Sequence, residues 1–169
     1  MLVIVGHGPS ILSGRGSVID SRMVVRLKAG LTKGQEPQHF GTRTDYICAR
    51  SPMYRQEGIP FWHFQEDKPE EPECRWLQYY RQFKPKYWKP SAGLCAVFMA
   101  KDLLDPKEIG VIGFDRVLYQ DDNISYKWNH PKPQPFPWFH DQRAEYECIH
   151  SLGIQIIDLA REHAQVSGL

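Results

Sequence analysis

Cysteine is scarce in this sequence, and its placement excludes more than its number does. Cys48, Cys74, Cys95 and Cys148 lie far apart and none forms a C-x-x-C pair. A zinc ribbon or redox dithiol is therefore not expected, and scattered thiols point to a reducing compartment. Long apolar runs are missing too. None approaches the ~20 residues of a membrane helix, and the opening MLVIVGHG is broken too early for a secretory signal. The expectation is a cytoplasmic protein with no membrane partner. Charge of one sign is also absent: 21 basic and 20 acidic residues leave a formal net charge of +1. That excludes a whole-molecule field for nucleic acid or anionic lipid and leaves only local patches. No internal repeat is visible.

What is present fits one domain spanning 1–169, large enough to bury roughly two thirds of its surface. Leu2 to Val5 is a continuous apolar run, the mark of a strand covered on both faces. Met23 to Leu27, Asp45 to Ala49, Ile109 to Phe114 and Ile154 to Ile157 read as further strands. Gly93 to Leu104 carries helical spacing and stops at Asp105-Pro106. Asp141 to Ser151 reads as a helix, with Gly153 just past its end. Strand and helix in alternation predict an α/β fold, a single Rossmann-like domain with a mostly parallel sheet. The segment 51–90 differs. It is rich in proline, carries the acidic run EDKPEEPE, and from Pro52 to Pro90 holds ten of the chain's 21 aromatics. It reads as an insertion or lid on the acceptor side, with a short helix at Trp76 to Phe83. NHPKPQPFPWFH is a second proline-rich loop.

The first strand runs into Gly6-His7-Gly8-Pro9-Ser10. The dinucleotide fingerprint needs a third glycine three residues on, and Ile11 stands there; the lysine-bearing phosphate loop is absent as well. A strand followed by G-x-G permits close backbone approach, either to a ligand or within a turn that merely connects.

Four stretches in order carry a resemblance: VIVGHGPS with IDSRMVVRLKAG, GTRTDYICAR, KPSAGLCAVFMAKDLLDPKEIGVIGFD, and WFHDQRAEYE. The series resembles the sialyltransferases of the animal-type family (glycosyltransferase family 29) and, more loosely, bacterial family 42, and leaves 51–88 unmatched. Val24, Val25, Arg26 and Leu27, then Gly41, Arg43 and Thr44, match the large motif. Pro90, Ser91, Ala92 and Gly93, then Gly113, Phe114 and Asp115, match the small one. His140 and Glu145 match the final histidine-glutamate pair, with Trp138 two residues before the histidine. His130 is the candidate for a further histidine upstream. Two departures stand out. His7 and Lys28 occupy positions where that family usually has asparagines that contact the donor, so cationic phosphate contacts are expected in their place. The family's cysteine pair is not reproduced, and Cys95 falls inside the helix.

The resemblance implies a metal-independent, inverting glycosyltransferase of sialyltransferase-like (GT-A-variant) fold. Its co-substrate is a nucleotide sugar, a CMP-sugar of sialic-acid type, and its partner is an acceptor glycan or nucleic acid. No cofactor is expected. Histidine suits a general base because its ordinary pKa lies near neutrality. His140 is assigned that role and His130 the stabilisation of the departing phosphate. The donor is expected between Gly6, His7, Gly8, Pro9 and Ser10 on one side and Ser91, Ala92 and Gly93 on the other, with Arg26, Lys28, Gly113, Phe114 and Asp115 contributing. The Ser91–Gly93 N–H groups at a helix start are expected to face phosphate or a sugar carboxylate. Arg26 has a structural alternative. Glu145, five residues beyond His140, is expected to hold a neighbouring loop rather than to orient the histidine. Two alternatives remain: the same fold glycosylating a modified base in viral DNA, favoured only by RQFKPKYWKP, and a nucleotide-binding module without catalysis.

Overall fold

The computed structural model describes residues 1–28, 36–63, 72–87, 89–119 and 140–161. Six strands form one sheet: β1 Leu2–Val5, β2 Met23–Leu27, β3 Tyr46–Ala49, β4 Phe61–His63, β5 Glu108–Ile112 and β6 Gln155–Asp158. Their order is β4-β3-β2-β1-β5-β6, and every pairing is parallel. The helices between them are α1 Gly16–Asp20, α2 Pro37–Phe40, α3 Pro72–Arg81, α4 Ala92–Leu104, α5 Asp115–Tyr119 and α6 Gln142–Ser151. This is the expected α/β fold with a doubly wound sheet. The strand order reverses between β1 and β5, so a crevice opens at their carboxyl ends.

Alternation along β1 divides the core. Leu2 and Ile4 join Val25, Leu27, Cys48, Trp62 and Val111 under α3, α4 and α6. Val3 and Val5 face the other way, toward Ile11, Ile19, Phe40 and Leu159. Every residue of α4 from Gly93 to Ala100 is buried. A helix apolar all round must be enclosed, and α4 lies between the sheet and α3 and α6. Among the described residues no helix is long and apolar enough to cross a membrane.

The expected insertion at 51–90 is less separate than its composition suggested. Its described residues supply β4, which pairs with β3, and α3. Trp62, Leu77 and Tyr80 are buried in the main core, and Trp76 stacks on Phe98 of α4 with ring centroids 4.8 Å apart. The helix expected at Trp76 begins at Pro72, where proline's fixed φ suits a first turn. These aromatics therefore build core.

Candidate active site

Two seams of hydrogen bonds join distant loops. The first joins the turn after β1 to the turn after β5. Gly6 N–H donates to the Ile112 carbonyl at 2.8 Å, and Gly8 N–H to that of Gly113 at 2.8 Å. The Ser10 hydroxyl donates to Asp115 Oδ2 at 2.9 Å and accepts from Gly113 N–H at 2.9 Å. Ser10 N–H reaches both Asp115 oxygens at 3.2 Å. The glycines are needed for this contact. A Cβ on Gly6 would lie 2.5 Å from the Gly113 oxygen, and one on Gly8 would lie 2.0 Å from Asp115 Oδ2. The Phe114 ring then fills the gap to α4, since Cβ atoms on Gly6 and Gly93 would meet opposite parts of it at 3.1 and 2.8 Å.

The second seam straps the segment before α4 onto the start of α6. Lys86 N–H donates to Asp141 Oδ2 at 2.7 Å, while Asp141 Oδ1 caps α6 through Ala144 N–H at 3.1 Å. His140 Nδ1 bonds the Lys89 carbonyl at 3.0 Å. A carbonyl only accepts, so the proton sits on Nδ1 and the ring's lone pair on Nε2. Two residues further, Ser91 gives its N–H to Glu145 Oε1 at 2.5 Å and its hydroxyl to Oε2 at 2.6 Å. The same hydroxyl caps α4 by accepting from Leu94 N–H at 3.2 Å. His140 and Glu145 thus grip one short segment from either end. Ser91, expected to offer its N–H to a phosphate, gives it to a carboxylate of its own chain instead. Glu145 is fully buried, and burial pushes its carboxyl up to about 7 against the Ser91 hydrogen bonds that favour the charged form.

His7 departs from its expected role. Its Nε2 donates to the Leu27 carbonyl at 3.0 Å. Burial holds its pKa down at about 4, with Lys28 and Arg26 adding repulsion. Its bond to a backbone carbonyl and its desolvation favour the neutral ring over the expected cationic phosphate contact. Lys28 is exposed at the carboxyl end of β2, in the left-handed region with φ 60°, a conformation that asparagine tolerates better than lysine.

Arg26 follows its structural alternative. It is 3% exposed, and its guanidinium donates to the Phe40 and Arg43 carbonyls and the Thr44 hydroxyl at 2.8–3.0 Å. Asp20 binds the same turn, accepting from Thr42 and Arg43 N–H at 2.8 Å, and Gly41, at φ 65°, leaves room for it. The IDS and GTRT stretches are therefore a fastening between β2 and β3. Asp20 and Asp141 were not singled out in the sequence, although Asp141, directly before α6, carries a capping signal.

The structure brings together Gly6, Gly8, Ser10, Gly113, Phe114, Asp115 and Gly93 at the first seam, and Ser91, His140 and Glu145 at the second. Pro9 is exposed on the 3-10 turn after Gly8 and Ala92 opens α4. His130 and Trp138 lie outside the described residues. No protein-family model matches this sequence, and no curated protein matches it. Its structure is similar to two crystal structures of a mammalian sialyltransferase. One, in complex with Gal-beta-1-3GalNAc-ortho-nitrophenol, aligns at a TM-score of 0.56 and 15% identity. The other aligns at 0.59 and 16%. Each alignment covers 93% of this chain and 68% of the other. With its six parallel strands and switch-point crevice, the chain has a sialyltransferase-like fold.

Proposed function

We propose that this chain is a glycosyltransferase that moves a sugar from a nucleotide donor to an acceptor hydroxyl with inversion, using His140 as general base. The observation that carries the reading is the fixed imidazole at the start of α6, with Nδ1–H on the Lys89 carbonyl and the lone pair on Nε2, in a fold like that of sialyltransferases. In the reaction the acceptor oxygen forms a bond to the anomeric carbon as its proton passes to Nε2. The bond from that carbon to the phosphate oxygen breaks, and the nucleotide leaves with the electron pair. The donor class is a cytidine monophosphate sugar, by the motif resemblance, and the reaction needs no metal. His130 is proposed to steady the departing phosphate. A glycan is the acceptor class to try first, since one similar enzyme was solved with a disaccharide derivative.

Lys28 is the remaining cationic candidate for the phosphate, since the neutral ring is favoured at His7. Calorimetry with nucleotides and nucleotide sugars, followed by transfer assays on glycan and DNA acceptors, tests the reading. General-base catalysis is worth 100- to 10,000-fold, so His140→Ala should lose about that factor in kcat while nucleotide binding persists. A folded His140→Ala protein that keeps most of its turnover would remove the assignment. Nucleotide binding without transfer by the native chain would instead identify a binding module.

A further inference from the structure

Glu145 is a buried carboxylate to which the mechanism gives no task. Its surroundings can be followed element by element. From the start of α4, Ser91 supplies both hydrogen bonds, at 2.5 and 2.6 Å. From α3, the Tyr80 hydroxyl is buried with no hydrogen-bond partner, the Asp141 backbone being near but not in hydrogen-bond geometry. The phenol is pushed far above its ordinary value, first by burial and then by the negative charge of Glu145. From α6 itself come Asp141 and Cys148; the thiol rises to about 12 through burial and through Glu145. All these neighbours are neutral or acidic. Among the described residues no cation pairs with Glu145, and Ser91 supplies both of its hydrogen bonds.

Ser91 is separated by one residue, Pro90, from the carbonyl that fixes the His140 ring. Proline's locked φ makes that link stiff. The Ser91 hydroxyl donates to Glu145 while accepting from Leu94 N–H, so its orientation is fixed only while Glu145 can accept on both oxygens. A protonated Glu145 has one oxygen that donates; where that oxygen faces the Ser91 hydroxyl, the hydroxyl must turn its own O–H away and accept instead.

We infer that Glu145 is a positioning residue for His140: its ionised form pins Ser91, and through Pro90 and the Lys89 carbonyl it holds the imidazole in the Nδ1–H tautomer. This does not depend on the chemistry of sugar transfer. The partial positive potential of the α4 N-terminus favours the charged form and burial opposes it. The balance lies near neutral pH, which makes the strap responsive there.

The test is nitrogen-15 NMR of the histidine rings in the full-length chain, with His140 assigned through His140→Gln. In the native chain His140 should be mainly the Nδ1–H tautomer above the Glu145 transition, and its shifts should show a second inflection near pH 7 besides its own titration. Glu145→Gln keeps the shape and removes the charge. It should lower the Nδ1–H to Nε2–H ratio about fivefold, the worth of one ordinary hydrogen bond, and abolish the second inflection. Ser91→Ala should reproduce the loss of the tautomer preference with Glu145 intact. An unchanged ratio in both variants, or a single inflection in the native chain, would overturn the inference. If Glu145→Gln fails to fold, the native titration decides alone. None of these readouts requires turnover, so a chain that transfers no sugar can still support the inference.

Discussion

The two seams are built on opposite principles. The seam between the turns after β1 and β5 is a backbone contact. Its closeness comes from missing side chains at Gly6, Gly8 and Gly113, and the titratable group beside it, His7, is half-buried with its ring on the Leu27 carbonyl. The strap between the segment before α4 and the start of α6 is a side-chain contact. It depends on a carboxylate that burial discourages from ionising. One seam is rigid by exclusion and the other adjustable by charge.

The comparison can be broken most directly at Gly8. Its Cβ would stand 2.0 Å from Asp115 Oδ2 and 2.8 Å from the Gly113 carbonyl, and backbone cannot step aside cheaply. Gly8→Ala should cost about 3 kcal/mol in denaturant unfolding, the upper range for forced overpacking. Gly14→Ala, strained at φ 75° but with nothing nearby, should cost only about 1 kcal/mol.

A pH series sharpens the contrast. The folded state raises Glu145 from 4.5 to about 7, so it binds the proton more tightly than the unfolded chain does. That contribution is full below pH 4.5 and is lost as pH rises to 7. His7 falls from 6.5 to about 4, so its contribution is full above pH 6.5 and is lost as pH falls to 4. Between about pH 4.5 and 6.5 the two slopes oppose, and stability should vary little. Glu145→Gln should uncover a stability that rises with pH by roughly 2 kcal/mol over this window relative to the native chain. His7→Gln should uncover a fall of similar size. Equal slopes in all three proteins would mean that neither group is as buried as described.

The smallest effect is expected at Lys28. Lys28→Gly relieves a left-handed lysine and should stabilise by about 1 kcal/mol. It also removes a positive charge that disfavours the His7 cation, so the His7 titration should move upward while that of Glu145 stays in place. A shift in both would show that the seams communicate.

Much of the sheet was legible because burial on two faces writes itself as apolar runs: β1, β2, β3 and β5 were all expected close to where they lie. β4 was hidden because three residues at a sheet edge, inside a proline-rich stretch, are too few for any periodicity. α1, α2 and α5 have four or five residues each and leave no helical pattern. The motif series brought the site's members into one group, yet it did not say who bonds to whom. Ser10 finds Asp115 across 105 residues and Ser91 finds Glu145 across 54. No local signal records such pairs. The G-x-G turn was legible as a demand for close approach, and the structure places Gly113 against it. His7 was expected as a cation because it stands where the family has an asparagine; the desolvation and backbone bond that favour its neutral form are not written in the sequence.

The strand order also sets a schedule for how the chain acquires its shape. During synthesis β2, β3 and β4 can each lie down beside the strand made just before it, so one flank of β1 is satisfied once β2 has emerged and that side of the sheet is laid down by residue 63. The other flank must wait for β5. At 5–20 residues per second, making residues 64–112 takes about 2–10 s. Throughout that time Leu-Val-Ile-Val presents an open line of backbone donors and acceptors from the middle of the final sheet. A nascent chain halted in this interval carries its stickiest strand at a rim, whereas among the described residues the finished sheet has its rims at β4 and β6, of three and four residues, lengths that recruit neighbours poorly.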